Sequence, residues 1–516
     1  MSTSNHARAP LGTMVAATAA IALVTGLGFG FGAAAIAGSR AGASSAQVAG
    51  GMQGGAHTMT YDYTGSYSGT KTATGTTLSV EGGDVSATKA DTNALLAEDG
   101  GTLSVGKATA TKTGDSSNED NTNFYGTNAV SLTVGKESST VLDGTTLTSD
   151  ANGANAIFAT DSGSVLARDV TITTSKDNSR ALDATYSGSI VAGGLKATTK
   201  GSHSATLATD RGGGSVSVDG ATLSTAGSGS PLLYSTGDIQ VHDVKGTATG
   251  AQIAGMEGTN TILIADSTLE STVTGKTASD PVANGVIIYQ STSGDAESSP
   301  GERATFQATG STLKSAIQEG SMFYCTNTSA DILLSGTTLD FDSSKAALLT
   351  AAGNDSNNWG SKGSNGADIT LTGRGQTLKG DVHVDAISSV ALYLMDASQW
   401  TGATTVESDS DSGTKSGTGL EVNVDGTSTW TVTRDTTVTT LNVAKGGKVV
   451  GSDGKTATIV ADGQTVVQGD GSVTVTVTGK YTTSVDSGKA ATASTDLIDR
   501  KDYDDKFGTS TTWSMK

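Results

Sequence analysis

The stretch that decides the fold is residues 164–199, SVLARDVTITTSKDNSRALDATYSGSIVAGGLKATT. Within it, Val165-Leu166-Ala167 and Ile190-Val191-Ala192 carry apolar residues at their first and third places. That is the period of a strand with one buried face. Ile172 follows Val165 by seven residues and Ala197 follows Ile190 by seven, each set between polar neighbours in Thr171-Ile172-Thr173 and Lys196-Ala197-Thr198.

The same pair of elements recurs outward along the chain. Val216-Ser217-Val218, Ile239-Gln240-Val241 and Ile262-Leu263-Ile264 continue the first element, and successive starts lie 25, 26, 23 and 23 residues apart. Further copies are Leu103/Val105, Thr140/Leu142, Phe306/Ala308, Ile332/Leu334 and Ile369/Leu371. The seven-residue link holds for Leu103/Ala110, Thr140/Leu147, Val216/Leu223, Ile262/Leu269, Phe306/Leu313 and Ile332/Leu339. Ile239/Ala248 and Ile369/Leu378 read as exceptions with nine. A third apolar run opens each repeat, as in Ala156-Ile157-Phe158, Leu232-Leu233-Tyr234, Val286-Ile287-Ile288-Tyr289, Met322-Phe323-Tyr324 and Ala346-Ala347-Leu348-Leu349.

Three short strands in about 25 residues leave no room for a βαβ crossover. The pattern predicts an all-β chain, a single-stranded right-handed parallel β-helix with one coil per repeat. Roughly a dozen coils stacked at about 4.8 Å would make a rod about 60 Å long. The expected division is a leader over 1–45, an N-terminal cap region over 46–92, the β-helix over 93–450, a C-terminal strand cap over 451–480 and a polar, mobile tail over 481–516.

Composition agrees with a thin core. Of 516 residues 69 are Gly, and aromatics make up only 4%. The net charge of −19 argues against a nucleic-acid partner, which needs a basic surface. The lone Cys325 excludes an intrachain disulfide and reads as a core residue. His6 and Arg8 precede an uncharged run from Leu11 to Ser39, followed by the small residues Ala41-Gly42-Ala43. This reads as an export signal, with an uncleaved membrane anchor as the alternative, and places the protein outside the cell or on its surface.

The turns and coils resemble those of adhesin-like right-handed parallel β-helix proteins of microbial cell surfaces, with the pectin-lyase-like architecture. The resemblance rests on Asn93 to Gly106, Phe124-Tyr125-Gly126-Thr127-Asn128-Ala129, Ala208-Thr209-Asp210-Arg211-Gly212-Gly213-Gly214, Tyr289 to Glu297 and Gly353 to Gly366, within residues 75–450. It implies an exposed binding or structural protein and supplies no catalytic residues.

Four insertions depart from the coil, at about 112–127, 271–285, 291–304 and 353–367. Function in solenoids tends to sit in such loops. The last two leave by one edge and would bring together Tyr289, Gln290, Asp295, Glu297, Asn354, Asp355, Asn357, Trp359 and Lys362. Carboxylates, amides and an exposed aromatic suit a sugar. The expected function is therefore non-catalytic binding of extracellular glycans or of a host or neighbouring cell surface, by a monomer. No cofactor is implied, although an acidic edge could take calcium. The alternative is a polysaccharide lyase or glycoside hydrolase using Asp161, Asp210 and Arg211, which follow Thr160 and Thr209 on the same edge, with Tyr186 between them. A lesser alternative is ice binding by the ladder Thr109/Thr111, Thr146/Thr148, Thr171/Thr173, which Lys196 interrupts.

Overall fold

A computed structural model describes residues 59–296, 298, 301–354, 359–407 and 417–516. The leader expected over 1–45 lies outside these residues. The chain is a right-handed parallel β-helix. The third runs pair in parallel, coil to coil, as one 13-stranded sheet from Gly69–Thr74 to Thr404–Val406. The first and second runs form a 22-stranded sheet that bends between its two halves. In three coils both halves are one continuous strand, Gly188–Thr199, Gly214–Thr225 and Asp238–Ala248.

The strand register stacks the predicted columns. Val165, Ile190, Val216, Ile239, Ile262, Phe306 and Ile332 lie over one another. Ile172, Ala197 and Leu223 form the second column. Both nine-residue exceptions disappear. Leu223 pairs with Gly246 and Gly246 with Leu269, so Ile239 is linked to Gly246 by the usual seven. Gly246 is needed there because a Cβ would come within 2.7 Å of the Leu232 side chain. In the other case Ile332 stacks on Leu371, seven residues before Leu378. Past that coil the link lengthens to eight, in Leu392/Trp400 and Val422/Trp430.

The coils also run further than the repeat suggested. Gly69–Ala87 forms a complete coil paired with the next one, within the segment expected to be a cap. Beyond 450, Thr458–Ala461 pairs in parallel with Thr474–Val477 and antiparallel with Gln464–Val467.

One continuous apolar core fills the bore. Trp400 and Trp430 stack inside it at 4.8 Å and 9°, and each indole N–H donates to a glycine carbonyl, Gly380 and Gly402. Thr140, a polar member of the first column, satisfies its hydroxyl against Thr133 at 2.6 Å. Cys325 is buried, and burial pushes its thiol up, away from nucleophilic use.

The tail departs from expectation most. Residues 490–516 do not hang free but run back along the outer face of the 22-stranded sheet. Ala491 meets Thr372, Ile498 meets Gln240, and Phe507 reaches Arg168. Its anchoring side chains Arg500, Tyr503 and Met515 are buried.

Candidate functional site

The outer face of a β-helix strand normally faces water. On the 13-stranded sheet between Leu182 and Thr326 it does not, because the insertions fold over it. Asp183, Ala208, Tyr234, Gly255, Ile287 and Tyr324 lie over one another on successive strands, and all are buried.

The 353–367 loop folds onto the end of the strand Asn284–Tyr289, from which the 291–304 loop departs. Trp359 lies over Tyr289 with ring centroids 4.4 Å apart at 23°. The Asn327 amide donates to the Gln290 carbonyl at 2.7 Å, and the Asn365 amide donates to the carbonyls of Asn354 and Trp359. Asn354 in turn donates to the Thr326 hydroxyl. Trp359, expected as an exposed sugar platform, is only 2% exposed, packed with Tyr234, Tyr289 and Tyr324. Its indole, too large to leave in water, is the lid of an aromatic cluster. Tyr289, Gln290 and Asp295 are buried as well. Of the predicted loop residues, Lys362 is exposed and Asn354 half-buried. Glu297, Asp355 and Asn357 lie outside the described residues.

Beneath the loops lies a charged network. Arg180 bridges Asp183 at 2.5 Å and Asp210 at 2.7 Å, with all three side chains essentially without solvent. Arg211 donates to Asp295 at 2.6 Å and lies 3.5 Å over the ring of Phe124. Glu257 accepts from the Tyr234 hydroxyl at 3.2 Å and from the backbone and hydroxyl of Ser291. Burial, with Asp295 nearby, pushes the Glu257 carboxyl up to about 7. Burial also holds Asp210 well above the usual carboxylate range, despite Arg180. Asp280, hydrogen-bonded to Asn284 at 2.9 Å, is raised to about 8 by burial. Buried ions need partners, and Arg180 and Arg211 find theirs in Asp183, Asp210 and Asp295.

Asp210 and Arg211, the alternative catalytic pair, thus act inside the structure. One Asp210 oxygen takes Arg180 and the other takes the Arg211 backbone N–H at 2.9 Å. Asp161 is half-buried near Tyr61.

Sequence reading missed the surface that this network supports. The insertion at 112–127 forms a helix, Glu119–Tyr125, whose N-cap Asn118 accepts from the Asn121 N–H. The helix delivers Phe124 inward to Arg211 and Tyr125 outward. Tyr125 stacks on Tyr186 at 5.5 Å and 2°. Tyr61 stands edge-on to both, at 5.6 and 5.5 Å, and Tyr63 stacks on Tyr125 at 5.0 Å. Tyr61 and Tyr67 share a hydroxyl contact at 2.7 Å, and Tyr125 donates to Asp62. Tyr186 is buried, while Tyr61, Tyr63, Tyr67 and Tyr125 keep part of their surface in water. Gly212, at φ 74, makes room for Tyr186, since a Cβ would sit 2.2 Å from that ring. The sequence signal was the spacing Tyr61, Tyr63, Tyr67 ahead of the first coil.

Among the described residues no cluster of three or more His, Cys, Asp or Glu is arranged to hold a metal ion, and no helix is long and apolar enough to cross a membrane. No known family model and no curated protein matches the chain.

Proposed function

We propose that this chain is an exported, adhesin-like cell-surface protein that binds carbohydrate without cleaving it, the β-helix serving as a stiff spacer. The observation that carries this reading is the tyrosine cluster. Partly exposed aromatic rings grouped beside carboxylates offer faces for a pyranose ring and acceptors for its hydroxyls. Tyr63, at the outer end of the stack backed by Tyr125 and Tyr186, supplies the face, with Asp62 and Asp161 beside the cluster. Phe124, Arg211 and Asp295 fix the helix that carries Tyr125, so the rigid network beneath preorganises the surface above. Asn354 and Lys362 belong to a separate loop edge, six strands farther along the same sheet. Export rests on the uncharged run Leu11–Ser39. A catalytic reading has less support, because both oxygens of Asp210 are already engaged.

The test is a glycan array followed by calorimetry on the best ligand. Tyr125→Ala and Tyr63→Ala should each weaken binding about tenfold, a loss of about 1.4 kcal/mol. Retention of no glycan, or unchanged affinity in both variants, would overturn the assignment.

A further inference from the structure

The tail is held in a way that resembles a bound peptide more than a packed terminus. Two outward glutamines on the 22-stranded sheet read its main chain. Gln307 donates to the Thr492 carbonyl at 3.0 Å and accepts from the Ser494 N–H at 2.8 Å. Gln240 repeats the pattern with the Asp496 carbonyl at 3.0 Å and the Ile498 N–H at 2.8 Å. Thr372 and Arg374 do the same for the two backbone groups of Ala491, at 2.9 and 3.2 Å. Gln240 and Gln307 stand two coils apart, about 10 Å along the axis. Four tail residues separate the two readings, which an extended chain covers easily.

Side-chain anchors then fix the register. Arg500, 6% exposed, donates to the carbonyl and hydroxyl of Ser217 and to the Ala192 carbonyl at 2.9–3.0 Å. Trp513 stacks on His242 at 5.6 Å and 6°. Met515 packs on Leu263 and Ala265. The tail joins the rod through Thr483–Lys489, of which every residue except Val485 is exposed.

We infer that this outer face is an extended-peptide groove whose resident ligand is exchangeable, and that its partner is the tail of a second copy of this chain. Every copy carries a segment whose anchors fit the groove. Exchange replaces each contact by an identical one, so the cost lies in opening rather than in the final state. The tail starts near the C-terminal end of the rod, runs toward the other end as far as Arg168, and then turns back so that Trp513 and Met515 lie over His242 and Leu263. Two copies trading tails therefore meet at their C-terminal ends, around a two-fold axis. The seven residues 483–489 span at most about 23 Å when extended, enough to cross such a junction.

The experiment uses two full-length chains with different affinity tags, mixed, warmed below the melting temperature and cooled. Native mass spectrometry should then find dimers carrying both tags. Arg500→Ala should speed their formation at least tenfold, because it weakens the closed state that must open. A chain lacking residues 484–487 should raise the dimer fraction, since a short hinge cannot fold back on its own groove. Tyr125→Ala, on another face, should change neither rate nor fraction. Absence of mixed dimers from both the full-length and shortened-hinge chains would overturn the proposal. So would mixed dimers whose rate ignores Arg500→Ala, since they would associate through another surface.

Discussion

Glu257 and Asp280 are carboxyls placed where their protonated forms are favoured. Burial lifts Glu257 from 4.5 to about 7 and Asp280 from 3.8 to about 8. Between those limits the folded chain binds more protons than the unfolded chain does. Stability contributed by these groups is therefore present on the acid side and is lost as pH rises through about 7 and about 8. The melting temperature is expected to fall by several degrees between pH 5 and pH 8.5. Glu257→Gln should flatten the lower part of that slope in a thermal-shift series. Trp359 makes a different residue-scale prediction. As a buried lid on Tyr289 it should cost about 3–5 kcal/mol when replaced by Ala, in equilibrium denaturation. Trp359→Phe should recover most of that loss. If Trp359 instead met ligand directly, binding would fall with stability unchanged.

At the scale of elements, the helix Glu119–Tyr125 links the buried network to the tyrosine surface. Its Asn118 cap is expected to be worth about 1 kcal/mol. Asn118→Ala should increase hydrogen exchange over 119–126 and weaken glycan binding without unfolding the coils. This helix was not legible in the sequence, because EDNTNFY carries no apolar stripe over two turns. The first and second strands were legible because one face is buried and the alternation is clean. The misread coil at Ile239 had a physical cause: its inward place is filled by Gly246, which gives no apolar mark. The covered sheet face could have been read. Val286–Tyr289 and Met322–Cys325 are apolar at every position, the mark of strands buried on both sides. What they cannot disclose is which loop does the covering. The loop at 353–367 does fold over this edge, but with its aromatic turned inward onto Tyr289.

For the whole molecule, a stack of coils has mainly nearest-neighbour contacts, so its stability is close to a sum of adjacent interfaces. The tail changes this, since it touches coils from Arg168 to Arg374 at once. A chain ended after Asp486 should exchange amide hydrogens faster along 188–193, 214–219 and 238–242. The 13-stranded sheet on the far side should keep its protection, as hydrogen-exchange mass spectrometry would show. The tail escaped sequence reading because its anchors are isolated and its main chain, not its pattern, is what the groove recognises.

The four tryptophans are distributed in a way that has a practical consequence. Trp400 and Trp430 lie face to face in the bore, Trp359 under the loops, and Trp513 half-buried on the tail. The parallel pair should give a split circular-dichroism band from coupled indole transitions, a signature of the C-terminal half alone. Trp359 should emit at short wavelength, and Trp513, in partial contact with water, at longer wavelength. Without any label, ordinary light can therefore distinguish a tail that has lifted, a loop cover that has opened and a rod that has come apart.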